Sequence, residues 1–159
     1  MKESYPVRRG LKEVVRKIVT SKALCEAAGK HTSWIPARMN RTKRNGKGVY
    51  FFSENDCALL NAAMKVLAGR LREITLPLDQ KRDPISFYKK MRQLLEIVNS
   101  RFLYEELGMS CSLWNSHLCE GDERYWFSYQ EIATIQGMVD IAAEKLEGIT
   151  LEYEPLDSE

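Results

Sequence analysis

At 159 residues, 44% hydrophobic and 29% charged, the chain has the composition of a globular protein with room for one ordinary domain or two small ones. No charge-poor apolar run approaches the ~20 residues that a membrane-spanning helix requires, so no membrane partner is expected. The formal net charge of +2 conceals a polarity: of 24 basic and 22 acidic residues, 16 and 6 fall in residues 1–76 (net +10), leaving 8 and 16 in the remainder (net −8).

The first residues, Met1-Lys-Glu-Ser-Tyr-Pro, lack the apolar segment of a secretory signal, which makes a cytoplasmic protein the expectation. Leu11, Val14, Val15, Ile18 and Val19 then recur at helical spacing, with Lys12, Glu13, Arg16 and Lys17 on the other face, and predict an amphipathic helix. Next comes Ala23 to Asn40, which reads as helix, tight turn, helix. Leu24 and Ala28 share one helical face, Gly29 supplies a residue free to take positive φ, and Thr32 or Ser33 can cap a second helix. Pro36 is tolerated in that helix's first turn, and Ile35 and Met39 form its apolar seam. Small Cys25 permits a close crossing, and Trp34 is expected in the core. This is the pattern of a helix-turn-helix, whose second helix can enter the major groove.

Asn45-Gly46 predicts a two-residue hairpin turn, with Val49 to Phe52 as a short strand or extended arm. Ser53 with Asp56 opens a long helix carrying Cys57, Leu60, Met64, Leu67, Leu71 and Ile74 on one stripe. Pro77 to Pro84 is a polar stretch bounded by prolines and reads as a linker.

The residues after the linker repeat those before it. Ile97-Val98, Ser100, Leu103, Glu105, Gly108 and Ser112 match Ile18-Val19, Ser21, Leu24, Glu26, Gly29 and Ser33 at an offset of 79. Past the hairpin the offset falls to 75, with Phe127-Ser128, Ala133, Ala143, Leu146 and Ile149-Thr150-Leu151 matching Phe52-Ser53, Ala58, Ala68, Leu71 and Ile74-Thr75-Leu76. Agreement at core and capping positions alike points to an internal duplication. The expected fold is therefore mainly α: two tandem helix-turn-helix-like units, residues 1–78 and 84–159, each with a short hairpin or loop before a long C-terminal helix.

The first unit resembles a family of short, uncharacterised gut-bacterial proteins often linked to phage or mobile elements. The resemblance rests on Gly29-Lys30, Ser33-Trp34-Ile35, Arg38-Met39-Asn40, Asn45-Gly46-Lys47, Phe52-Ser53 and Leu60-Asn61. It implies a small helical, helix-turn-helix-like fold and no established activity. The second unit lacks the Asn-Gly-Lys turn and carries His117 in place of Arg38.

The leading functional expectation is double-stranded DNA binding by the first unit, as in a bacterial or phage-type transcriptional regulator. His31, Thr32 and Ser33 are candidates for phosphates or base edges, Arg38 for a phosphate or guanine, and Arg41, Lys43, Arg44 and Lys47 for the backbone or minor groove, as a wing does. The acidic second unit is expected to pack on the first, making a monomeric pseudo-dimer or a homodimer. The alternative is a protein–protein adaptor that uses the acidic unit for a basic partner.

No enzyme is expected, because Gly-rich phosphate loops, nucleophile elbows and HExxH are lacking and both histidines lie in matching motifs of the two units. No cofactor is called for. Cys111, His117 and Cys119 lie close in sequence but lack a CxxC pair and a fourth ligand, so no metal site is expected.

Overall fold

The computed structural model of the chain describes residues 6–39, 43–44, 47–49 and 52–153, with backbone alone at 6–9, 16, 43–44 and 47–49. The fold is mainly α, as the periodicity predicts. The first run comprises α1 (Pro6–Lys17), α2 (Ser21–Ala27), α3 (Trp34–Met39), the strands β1 (Lys43–Arg44) and β2 (Lys47–Val49), and α4 (Glu54–Arg72). The second comprises α5 (Pro84–Leu95), α6 (Ser100–Tyr104), α7 (Cys111–His117), a 3-10 turn at Glu123–Tyr125 in the place of the strands, and α8 (Tyr129–Gly148).

Local chemistry sets these boundaries. Thr20 Oγ1 accepts from the Ala23 N–H at 3.1 Å and starts α2. Ser53 and Asp56 exchange bonds of 2.9 and 3.0 Å at the start of α4, and Ser128 and Glu131 do the same for α8 at 2.8 and 3.1 Å. Asp56 thus completes a capping box despite its shorter side chain. Gly29 at φ 75° ends α2, and the Lys30 N–H then reaches back to the Cys25 carbonyl at 2.9 Å. Gly108 at φ 70° ends α6 with the equivalent bond, Met109 N–H to Tyr104 carbonyl at 3.0 Å. Gly29→Ala and Gly108→Ala are each expected to lose about 1–2 kcal/mol, the cost of holding a Cβ in the left-handed region, read as a lower urea midpoint at unchanged slope.

The two runs are bound by reciprocal contacts between equivalent residues, which is what a two-fold axis imposes. Val19 and Val98 form an antiparallel bridge; the Thr20 N–H donates to the Ile97 carbonyl at 2.9 Å, and the Asn99 N–H donates to the Ile18 carbonyl at 2.8 Å. Helices α4 and α8 pack on each other, and the extended segment after each is gripped by a side-chain amide on the other. Asn61 of α4 donates to the Leu151 carbonyl at 2.9 Å and accepts from its N–H at 2.7 Å. Gln136 of α8, its equivalent at the offset of 75, accepts from the Leu76 N–H at 2.8 Å and donates to the Ile74 carbonyl at 3.1 Å. Asn61→Ala strands the Leu151 N–H and leaves its carbonyl only the Cys57 thiol at 3.2 Å, at a part-buried site. A loss of about 1–3 kcal/mol is expected in equilibrium unfolding.

Arg72 meets its own equivalent, Glu147, in a two-pronged ion pair at 2.9 and 2.6 Å, at the point where the axis would pass. The Arg72 hydrogen bonds hold the Glu147 carboxyl below the usual range for a glutamate. The pair's contribution is therefore present above that range and lost as pH falls through the depressed pKa. Both side chains are 46% exposed, so the effect is small, and it is read best as a double-mutant cycle at neutral pH against one at low pH.

One continuous core results. It joins Leu11, Val14, Leu24, Ile35, Leu60, Leu67 and Leu71 to Phe87, Leu94, Leu103, Trp114, Ile135, Val139 and Leu146. The stretch from Pro77 to Pro84 is part of this body: Gln80 is 2% exposed, and its Oε1 accepts from the Phe127 N–H at 2.7 Å.

The correspondence also reaches further back than the sequence match, at an offset of 80. The Val98 N–H bonds the Leu94 carbonyl four residues back at 2.9 Å, whereas the Val19 N–H bonds the Val14 carbonyl five back at 3.0 Å. One extra residue is absorbed at the end of α1, and buried Leu11 and Val14 then correspond to buried Met91 and Leu94.

Candidate nucleic-acid interface

Helix α2 buries Ala23, Leu24 and Cys25 and leaves Lys22 and Glu26 in solvent. Its crossing with α3 is tied by Cys25, whose thiol donates to the Thr32 carbonyl at 3.6 Å. The following turn exposes His31, Thr32 and Ser33 together. Ser33 takes the capping position of α3, with its carbonyl accepting from the Ala37 N–H at 3.0 Å. The capping acceptor is supplied by His31: its Nδ1 lies 3.1 Å from the Ser33 N–H and 2.9 Å from the Ser33 hydroxyl. Because Nδ1 accepts, the neutral ring carries its proton on Nε2.

Arg38 sits at the other end of α3 and turns back along it. Its guanidinium lies 5.1 Å from the Trp34 ring centroid, its Nη1 donates to the Trp34 carbonyl at 3.5 Å, and its Nε is 4.0 Å from the Asp56 carboxylate. The side chain is 22% exposed, so most of it is withdrawn from water. Trp34 is half-buried rather than fully in the core. Its ring meets Phe52 edge-on at 5.5 Å and carries Lys30 Nζ 5.5 Å from its centroid, beside Arg38. Two cations on one indole, each such contact worth about 0.5–1 kcal/mol near solvent, brace α3 against the start of α4.

Strands flank the Asn-Gly pair as the hairpin signal predicts, but the second runs over Lys47–Val49 instead of starting at Val49, and Phe52 lies outside it. β1 and β2 pair antiparallel, with Lys43 opposite Val49, Arg44 opposite Lys47 and a break in register between them. The backbones of Lys43, Arg44 and Lys47 are thereby fixed in the ribbon, while Arg41, the turn residues Asn45 and Gly46, and the pair Tyr50 and Phe51 lie outside the described residues. Of the predicted site, His31, Thr32 and Ser33 come together on one exposed turn, the three ribbon cations follow on the same segment, and Arg38 occupies the brace behind them. Lys30 and Asp56 join this group unannounced: Lys30 stands where an apolar residue is common, and Asp56 is read from sequence as a cap alone.

The equivalent face of the second run has different chemistry. Ser110 takes the place of His31 and caps α7 through the Leu113 N–H at 3.1 Å. Cys111, Ser112, Leu113 and Asn115 are exposed, so the outer face of α7 carries no charge. The tryptophan has moved one position: Trp114 corresponds to Ile35 and is 1% exposed. His117, in the place of Arg38, is 8% exposed and stacks on Phe127 with ring centroids 4.7 Å apart. Beyond it, Arg124 pairs with Asp122 at 3.0 Å and Arg92 pairs with Glu120.

Comparison of the chain with protein-family models, with curated proteins and with solved structures returned no match.

Proposed function

We propose that the chain is a DNA-binding regulator of the helix-turn-helix type, in which the first repeat, residues 1–78, contacts duplex DNA. The observation that carries this reading is the exposed turn of His31, Thr32 and Ser33 that opens α3, followed in the chain by a two-stranded ribbon whose strands include Lys43, Arg44 and Lys47, all on the half with a net charge of +10. In this reading α3 approaches the groove, Thr32 and His31 Nε2–H meet base edges or phosphates, and the ribbon with Arg41 follows the backbone. Arg38 contributes mainly by holding α3 in place.

The test uses the full chain titrated into mixed-sequence duplex at two salt concentrations. Binding is expected to weaken as salt rises, by counterion release. Arg41→Ala with Arg44→Ala should weaken binding to all sequences alike and lower the salt slope by about 2, roughly 0.9 per lost phosphate contact. Thr32→Ala should chiefly relax sequence preference. Absence of binding at low salt would remove this reading. It would favour an adaptor instead, for which Ile85 (81% exposed) and Tyr129 (63% exposed) on the acidic repeat offer apolar contact area.

A further inference from the structure

Resting on that reading, we infer that the chain takes one asymmetric half-site, with the second repeat filling a second subunit's place without reading DNA. The reciprocal bridge at Val19 and Val98 and the crossed amide grips of Asn61 and Gln136 give the repeats the mutual relation of two subunits in a symmetric dimer. In such dimers both recognition helices bind, and the operator mirrors the symmetry with half-sites about one helical turn apart. Here the two faces are no longer chemically alike.

Residues 38–50 bring five cations, Arg38, Arg41, Lys43, Arg44 and Lys47. The corresponding segment, 117–125, is shorter and holds Glu120, Asp122 and Glu123 against Arg124 alone. The ribbon is replaced by the 3-10 turn, and the position of Arg38 is filled by the buried ring of His117. Two cations of this half are ion-paired, Arg124 with Asp122 and Arg92 with Glu120. A phosphate backbone approaching this face meets a carboxylate surplus and is repelled where the first repeat attracts it.

The axis contact adds a second reason. Two basic repeats joined through the same interface would set Arg72 against Arg72, whereas the chain as it stands sets Arg72 against Glu147. This half-exposed contact adds a small preference for one basic repeat facing one acidic repeat.

The experiment selects ligands for the full chain from a random-sequence duplex library, then compares a duplex bearing one copy of the recovered motif with one bearing two inverted copies a helical turn apart. A motif without dyad symmetry is expected, with one chain per motif and an affinity gain for the inverted pair of about twofold, the statistical factor. A two-headed reader would gain on the order of 100-fold or more by avidity. Dyad symmetry bound by a single chain would overturn the inference while leaving DNA binding intact.

A second readout serves even where binding is insensitive to sequence. Arg41→Ala/Arg44→Ala/Lys47→Ala should reduce the slope of log K against log salt by about 3, and Arg92→Ala/Arg124→Ala should leave it unchanged. Equal reductions in both variants would place the second repeat on the DNA and overturn the inference. No binding by the full chain to any duplex would remove both the inference and the reading beneath it.

Discussion

The fragment 1–80, made alone, is expected not to fold as a monomer. Leu60, Ala63, Met64, Leu67, Ala68 and Leu71 of α4 are each at most 1% exposed, and much of that cover is α8. Removing α8 bares a long apolar stripe and frees the segment at Ile74–Leu76 from Gln136. It also breaks the bridge at Val19. A unit of about 80 residues has little surplus burial with which to absorb such losses. Self-association through the same interface would also set Arg72 against Arg72, a small further penalty.

Circular dichroism with analytical sizing gives the measurement. The intact chain should unfold in one urea transition, the same by near- and far-ultraviolet signals, and the fragment should be unstructured or aggregated. A monomeric fragment with its own cooperative transition would refute the shared core as the source of stability.

Trp114→Ala is the point substitution expected to do most harm. The indole is 1% exposed, with ring centroids 5.5 Å from Phe127 and 6.1 Å from Tyr104. Truncation leaves a cavity under α7, α6 and the start of α8, and large-to-small aromatic changes of this kind cost about 3–5 kcal/mol. Against a total stability of about 5–15 kcal/mol, that is a large share. Trp34→Ala should cost distinctly less, since Trp34 is half-buried and its neighbours can reach solvent. The comparison separates two tryptophans that the sequence places in matching motifs. Urea midpoints at constant slope decide it, and equal losses would contradict the burial difference.

That contrast shows what the sequence makes legible and what it does not. Caps and turn glycines are local, so Ser53, Ser128, Gly29 and Gly108 are readable within a few residues of themselves. The stripes of α4 and α8 are readable because 3.6-residue periodicity survives over five turns. The correspondence of α1 with α5 is hidden by the one-residue slip after Val14, which shifts every apolar match by one place. Asn61 and Leu151 stand 90 residues apart, and no pattern within either segment points to the other. At the candidate site the exposed trio is legible from the turn. The inward course of Arg38 depends on Asp56, 18 residues on, and on how α3 meets α4.

The ion pair of Arg72 with Glu147 has a consequence for behaviour on dilution. Symmetric dimers of separate chains come apart as their concentration falls, and their stability varies with the amount present. Here both halves of the pair reside in one polypeptide, held by a connection of about eight residues, so each meets the other at a fixed, high effective concentration. The midpoint of unfolding should therefore be the same at nanomolar and micromolar protein. Two such chains should not exchange halves, so Arg72 keeps an acidic partner.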